Sequence, residues 1–242
     1  MPVHFRKPRN QVNAKLVSTA GTTRAIPRSP RTTMTPPSRG APFPPRAVSR
    51  LNPKPVLSIL IPTMPGRDQK LRSLLSAIDI QISDRNDVEL LVLRDSRGMT
   101  IGEKRNRMLS IARGEYVTFV DDDDEVAGDY VSVIVEGIVA ERPDVLCYLV
   151  LVEGHGHKRL CRYDPKLRSA NYQNEYHRKP NHLMVWRRDV AIKEPFPPIQ
   201  TGEDTLWADK MVAHVSKVTI IEKILYTYRF DPRDNSAINV QK

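Results

Sequence analysis

Short apolar runs and amphipathic stretches alternate along this 242-residue chain from Val56 onward. Val56 to Ile61 is apolar and β-rich, which predicts a buried strand stopped by Pro62. Thr63 to Arg67, with Pro65 and Gly66, reads as a turn. Leu71, Leu74, Leu75 and Ile78 then recur at helical spacing and predict a helix from Asp68 to Ile80. Val88 to Leu93 is a second buried strand. A glycine-bearing loop, Arg97 to Gly102, precedes a helix from Glu103 to Arg113, with Met108, Leu109 and Ala112 inward and Gly114 as its C-cap. Tyr116 to Val120 is a third buried strand, followed by a helix over Asp129 to Ala140. This β-α-β-α-β-α order predicts an α/β fold, a mainly parallel sheet with helices on both faces. All three strand ends then lie on one edge, so Thr63, Asp95 and Asp121 to Asp124 converge although far apart in sequence.

The pattern changes after Val145. Val145 to Val152 and Lys158 to Tyr163 predict a hairpin, and Ser169 to Pro180 is polar and irregular. Leu183 to Ile192 reads as a short helix and Glu203 to Val212 as another. Val218 to Arg229 predicts two short strands around Lys223, and the residues after Phe230 a polar tail.

Five adjacent carboxylic acids, Asp121 to Glu125, follow the third strand directly. Such charges repel one another, and near a core water screens them poorly. Hard cations such as Mg²⁺ and Mn²⁺ relieve that repulsion, often sharing carboxylate with phosphate oxygens. Strand ends of open α/β sheets are also where ligands bind. A solvated acidic turn capping the next helix is the bland alternative.

Charge divides the chain. Residues 1–55 carry eleven Lys or Arg, no Asp or Glu, and eleven of the 20 prolines. They read as a disordered basic arm: a solubilising tail, or a contact for a polyanion such as nucleic acid or an anionic lipid surface. The whole-chain totals of 38 basic and 28 acidic residues leave 27 and 28 for the remainder, which is close to neutral. Two cysteines, Cys147 and Cys161, signal no disulfide framework and suit a reducing, cytoplasmic setting. No apolar run reaches the roughly 20 residues needed to span a bilayer, nor is there an apolar secretory leader. Cys147, His155, His157 and Cys161 match no common zinc spacing.

Several motifs together resemble family 2 glycosyltransferases. Ser58 to Thr63 is similar to that family's opening strand, and Gly102 to Asn106 with Ala112 to Tyr116 to its helix and third strand. Phe119 to Asp124 resembles its Asp-x-Asp motif, and Gly202-Glu203-Asp204 with Trp207 its downstream Glu-Asp motif. Tyr226 to Arg229, with Asn235 and Ser236, resembles the end of the domain. The resemblance covers about residues 56–237 and leaves 238–242 as a tail.

The resemblance implies the GT-A fold, with a C-terminal hairpin as acceptor subregion. It implies sugar transfer from a nucleotide-sugar, a UDP-sugar being the expected donor, to an acceptor hydroxyl with inversion. Asp204 is the expected base, with Glu203 its neighbour or substitute. Asp123 is the main expected ligand of Mn²⁺ or Mg²⁺, with Asp121 also at the metal or the donor sugar. Pro62, Thr63, Arg67, Asp95, Arg105, Asp121 and Asp122 are expected at the donor. Arg94 stands where the family usually has a second acid, which weakens base recognition through Asp95. Modified phage DNA and cell-surface carbohydrate precursors are the acceptors considered. Two rival readings are a non-catalytic nucleic-acid-binding protein and a Mg²⁺-dependent nucleotidyltransferase.

Overall fold

The computed structural model describes residues 15–18, 54–96, 98–154 and 156–230, with the backbone alone at 15–18 and 230. Most of the expected arm, and the tail with Asn235 and Ser236, lie outside these residues. In chain order the elements are β1 (Lys15–Ser18), β2 (Leu57–Thr63), α1 (Asp68–Ile82), β3 (Val88–Arg94), α2 (Ile101–Ile111), β4 (Tyr116–Phe119), β5 (Glu125–Val126), α3 (Tyr130–Glu141), β6 (Val145–Gly154), β7 (His157–Tyr163), β8 (Ala170–Asn171), β9 (Glu175–Arg178), β10 (Val185–Arg187), α4 (Arg188–Ala191), α5 (Glu203–Met211) and β11 (Val218–Phe230).

One sheet runs in the order β1-β3-β2-β4-β10-β6-β7-β9-β8, with β11 along the far edge of β6. The strands β3, β2 and β4 are parallel, as the alternation of apolar runs and amphipathic helices requires, and β1, a strand within the arm expected to be disordered, pairs parallel with β3. β2 sits between β3 and β4 and is buried throughout its length. Leu57, Ile59, Leu60 and Ile61 are fully enclosed, each stabilising the fold by about 1.5–3 kcal/mol. The strand does not stop at Pro62. Its ladder to β4 ends at Leu60, so beyond that point only β3 pairs with it, through Thr63.

Other departures have local causes. α2 starts two residues before Glu103, because Thr100 and Glu103 form a reciprocal capping box. Its C-cap is Ala112, and Gly114 instead donates its N–H to Ser58 Oγ at 2.8 Å. The segment expected as a helix over Leu183 to Ile192 divides: the helix forms only as the single turn α4, and strand β10 precedes it. That strand fits antiparallel between β4 and β6 and so closes the sheet. The polar stretch Ser169 to Pro180 contains β8 and β9, which extend the β6–β7 hairpin. β11 is one strand rather than two. The break expected at Lys223 is a pair of register shifts between Ile221 and Tyr226.

Below the sheet edge an aromatic cluster joins the two halves. Phe119 meets Phe196 edge-on at 5.8 Å, Phe196 stacks on Trp207 at 4.4 Å, and Trp186 meets Trp207 at 5.1 Å. Both tryptophans are therefore core. Cys147 and Cys161 are buried free thiols, and burial pushes Cys161 up to about 11.

Candidate active site

The acids that follow β4 turn in different directions. Asp122 Oδ2 accepts from Thr63 Oγ1 at 2.6 Å, and its Oδ1 from Arg67 Nη1 at 2.6 Å. That locks the end of β4 to the end of β2. Asp124 faces β11, accepting from Tyr226 Oη at 2.7 Å and from the Arg229 backbone N–H at 2.8 Å. Burial, then the charge of Asp121, pushes its carboxyl well up. Asp124 is an anchor for β11. Asp123 opens into the cavity and pairs with Arg67 Nη1 at 2.9 Å. Burial raises its carboxyl above the usual range against the pull of Arg67, and Asp121 and Asp122 add to the rise.

Asp121 is held between two cationic partners. Its Oδ1 accepts from Arg105 Nη2 at 3.1 Å, and its Oδ2 lies 3.2 Å from His182 Nε2. Burial opposes its ionisation, but Arg105 and His182 outweigh this and hold it far below the ordinary carboxylate range. Arg105 is itself buried, with its guanidinium 5.1 Å from the Phe119 ring centroid, and its Nε donates to Glu203 Oε1 at 3.2 Å.

Glu203 and Asp204 form the first turn of α5, entered through Gly202 at φ 81°. Glu203 is buried on Arg105, and burial raises its carboxyl above normal. Asp204 lines the cavity. Its Oδ2 accepts from Asn181 Nδ2 at 3.3 Å and lies 3.5 Å from His182 Nδ1, while its Oδ1 accepts from the Thr205 N–H at 2.8 Å. Burial would raise it, but His182 and Arg105 hold it far below the usual range. Burial and Arg105 oppose a charge on His182, yet Asp121 and Asp204 outweigh them and raise its imidazole. The acids of two distant motifs thus meet across one histidine and one arginine.

The loop before α5 is fixed by a close approach. A Cβ at Gly102 would stand 1.8 Å from the Pro197 carbonyl oxygen, and the Gly102 N–H faces Ile199 O at 3.4 Å. The start of α2 and the chain leading to Glu203 therefore touch backbone to backbone.

Pro62, Thr63, Arg67, Arg105 and Asp121 to Asp123 line a single cavity of about 520 Å³ together with Glu203 and Asp204. Asp95 does not join them. It is buried, ion-paired with Lys104, and accepts from the Met99 N–H at 3.1 Å. Lys104 lines the cavity in its place and donates to Thr63 O at 2.9 Å. Sequence reasoning gave Lys104 no role, although its place one turn before buried Met108 was a signal that it faces inward. Arg94, at the neighbouring position, is spent on Asp68 at 2.8 Å. His182, which by sequence is more readily an ordinary structural histidine than a contact for acceptor or phosphate, instead bridges Asp121 and Asp204.

Among the described residues no three His, Cys, Asp or Glu side chains converge into a ready-made metal cage. The donor set suits a different arrangement. Asp123 faces the cavity with a burial-raised carboxyl, and a hard cation sharing it with phosphate oxygens would relieve the crowding of negative charge. Asp121, gripped on both oxygens, is the poorer ligand.

Residues 69–191 match the family model described as glycosyl transferase family 2, and the chain belongs to that family. Among solved structures it is similar to residues 1–349 of S. aureus TarS, with 20% identity and a TM-score of 0.54 over 72% of this chain and 60% of that one. The complex of the same fragment with UDP-GlcNAc gives 18%, 0.54, 72% and 58%. A likeness at that identity establishes the shared fold, and this chain spans about 60% of the TarS fragment's length. No curated protein matches the chain. Among the described residues no helix is long and apolar enough to cross a membrane.

Proposed function

We propose that the protein moves a sugar from a nucleotide-sugar donor to an acceptor hydroxyl by direct displacement with inversion. The observation that carries this reading is the meeting of Asp123 and Asp204 in one cavity, with Arg105 and His182 between their two motifs. The UDP and UDP-GlcNAc bound to TarS support a uridine donor.

Each residue has a chemical task in this reading. Thr63, Arg67 and Lys104 surround the part of the cavity that suits the nucleotide and its phosphates. Asp123 would hold Mn²⁺ or Mg²⁺, which when bound neutralises charge on the departing diphosphate. Asp204 takes the proton of the acceptor hydroxyl. Asp204 is held far below the usual carboxylate range by His182 and Arg105 and so stands as the ionised carboxylate, while Asp121 and Asp204 in turn favour the charged form of His182. Glu203, buried on Arg105, supports Asp204 rather than replacing it. Arg105 sets the distance between the motifs. The arm's expected contact with nucleic acid concerns residues that lie mostly outside the described part of the chain.

Asp204→Asn keeps the shape and removes the base. Transfer should fall by about 10²–10⁴-fold. UDP binding, followed by calorimetry, should stay within about twofold, because Asp204 is not at the nucleotide. A variant that transfers at the normal rate would remove Asp204 as the base.

A further inference from the structure

The cavity has a second wall, apart from the residues assigned above to the donor. It is built by the extended hairpin: Cys161 and Tyr163 from β7, Tyr176 and Arg178 from β9, and Tyr228 from β11. In the sheet, β4, β10 and β6 separate these strands from β2, whose Thr63 marks the nucleotide end. Tyr176 is clasped by two guanidinium groups. Arg159 lies 5.3 Å from its ring centroid and donates from Nη1 to its hydroxyl at 2.8 Å, and Arg178 lies 5.2 Å from the ring.

Arg178 differs from the other cations around the cavity. Its Nη1 donates to Ala170 O at 2.9 Å and His177 O at 2.7 Å, and its Nη2 to Asn171 Oδ1 at 2.6 Å. All three acceptors are neutral. Among the described residues it makes no ion pair with a carboxylate, whereas Lys104, Arg105 and Arg229 pair with Asp95, with Asp121 and Glu203, and with Glu125. A neighbouring cavity of about 1070 Å³, between α1 and the β6–β7 turn, likewise has Lys158 matched by Glu153. The planar fork of Arg178 is therefore held in place while its charge stays uncompensated. A preorganised guanidinium of this kind suits a bidentate oxyanion. Tyrosines beside it offer apolar ring faces with polar edges, which suits a hydroxylated ring or chain.

We propose that this wall, where the resemblance puts the acceptor subregion, selects a sugar unit bearing an anionic group, a phosphate or a carboxylate, read by Arg178. The proposal rests on the sugar-transfer reading above and deepens it. The anion docks at β9, and the unit's free hydroxyl is presented to Asp204 on the same cavity.

The test uses the full chain with the nucleotide end filled by saturating UDP and Mg²⁺. Glucose, glucose 6-phosphate and glucuronate are titrated into wild type, Arg178→Met and Arg178→Lys, with binding followed by ligand-observed NMR. UDP affinity is measured first: its absence in wild type would sink the sugar-transfer reading by itself. With UDP bound, wild type should favour at least one anionic probe over glucose by about tenfold or more, the size expected for hydrogen bonds to a charged group. Which anion binds better tells phosphate from carboxylate. Arg178→Met should level the three probes while leaving UDP affinity within about twofold, and Arg178→Lys should restore part of the preference. Wild type that binds none of the probes, or binds all three alike, overturns the proposal. So does an Arg178→Met protein that melts normally and keeps the preference.

Discussion

Replacing Arg105 by Met removes the cation on which the two acidic motifs are hung. The aliphatic replacement keeps much of the volume and its packing on Phe119 and Phe196, so the lost contacts are electrostatic. Those are the 3.2 Å bond to Glu203 and the 3.1 Å bond to Asp121, both at a guanidinium that is 3% exposed. Removing one partner of a buried pair costs about 3–5 kcal/mol, because the other charge stays buried without compensation. Loss of the cation over Phe119 adds about 0.5–2 kcal/mol. At about 2–4 °C per kcal/mol for a domain of this size, the melting temperature should fall by roughly 7–28 °C. The deficit has a pH signature. Glu203 already sits above its usual pKa through burial, and without Arg105 it rises further. A carboxyl raised in the folded state binds protons that the unfolded chain does not, so the variant loses stability as pH climbs from about 4.5 towards the folded pKa. Urea melts at pH 4.5 and pH 8 would read this directly, with the larger deficit at pH 8. Arg105→Met combined with Glu203→Gln should recover about 1–3 kcal/mol of the loss at pH 8. A single variant within about 1 kcal/mol of wild type at pH 8, or a deficit that shrinks as pH rises, would refute the reasoning.

Three other expectations follow from the same geometry. Asp123→Ala should lose Mn²⁺-dependent stabilisation by UDP in thermal melts, with transfer down by about 10²-fold or more; unchanged Mn²⁺ dependence would clear Asp123 of the metal role. Gly102→Ala sets a Cβ 1.8 Å from Pro197 O, so backbone must move; a loss of about 1–3 kcal/mol is expected in denaturant melts, together with slower transfer as the chain leading to Asp204 shifts. Asp144 accepts from the Ser216 and Lys217 N–H groups at 2.7 and 2.9 Å, and burial is outweighed by those bonds and Arg187, so its pKa is lowered. Its contribution is therefore full above about pH 4 and lost as pH falls through the folded value, and Asp144→Asn should flatten that acid limb of stability.

The parallel half of the fold was legible because its signals are local. β2, β3 and β4 are short apolar runs, and α1 and α3 fall within two residues of the expected spans. The second half, where parallel and antiparallel pairings mix, was harder to read. β9 owes its form to arginine and tyrosine contacts and to pairing with β7, not to an alternating pattern. The segment expected as a helix from Leu183 keeps that form only in α4, because the slot between β4 and β6 draws Val185 to Arg187 into the sheet as β10.

The sequence by itself determined the class of fold, the family, and the two acidic motifs at Asp121 to Asp124 and Glu203-Asp204. These depend on residue order and on apolar spacing, which survive without knowledge of distant contacts. Only the tertiary structure decided what each acid does. Asp124 turns to Tyr226, Asp122 to Thr63 and Arg67, Asp121 to Arg105 and His182, and Asp123 into the cavity. Four adjacent aspartates look alike in a sequence. They become different because each partner comes from a strand or helix far away in the chain, and burial beside a cation or beside another acid moves their pKa values in opposite directions.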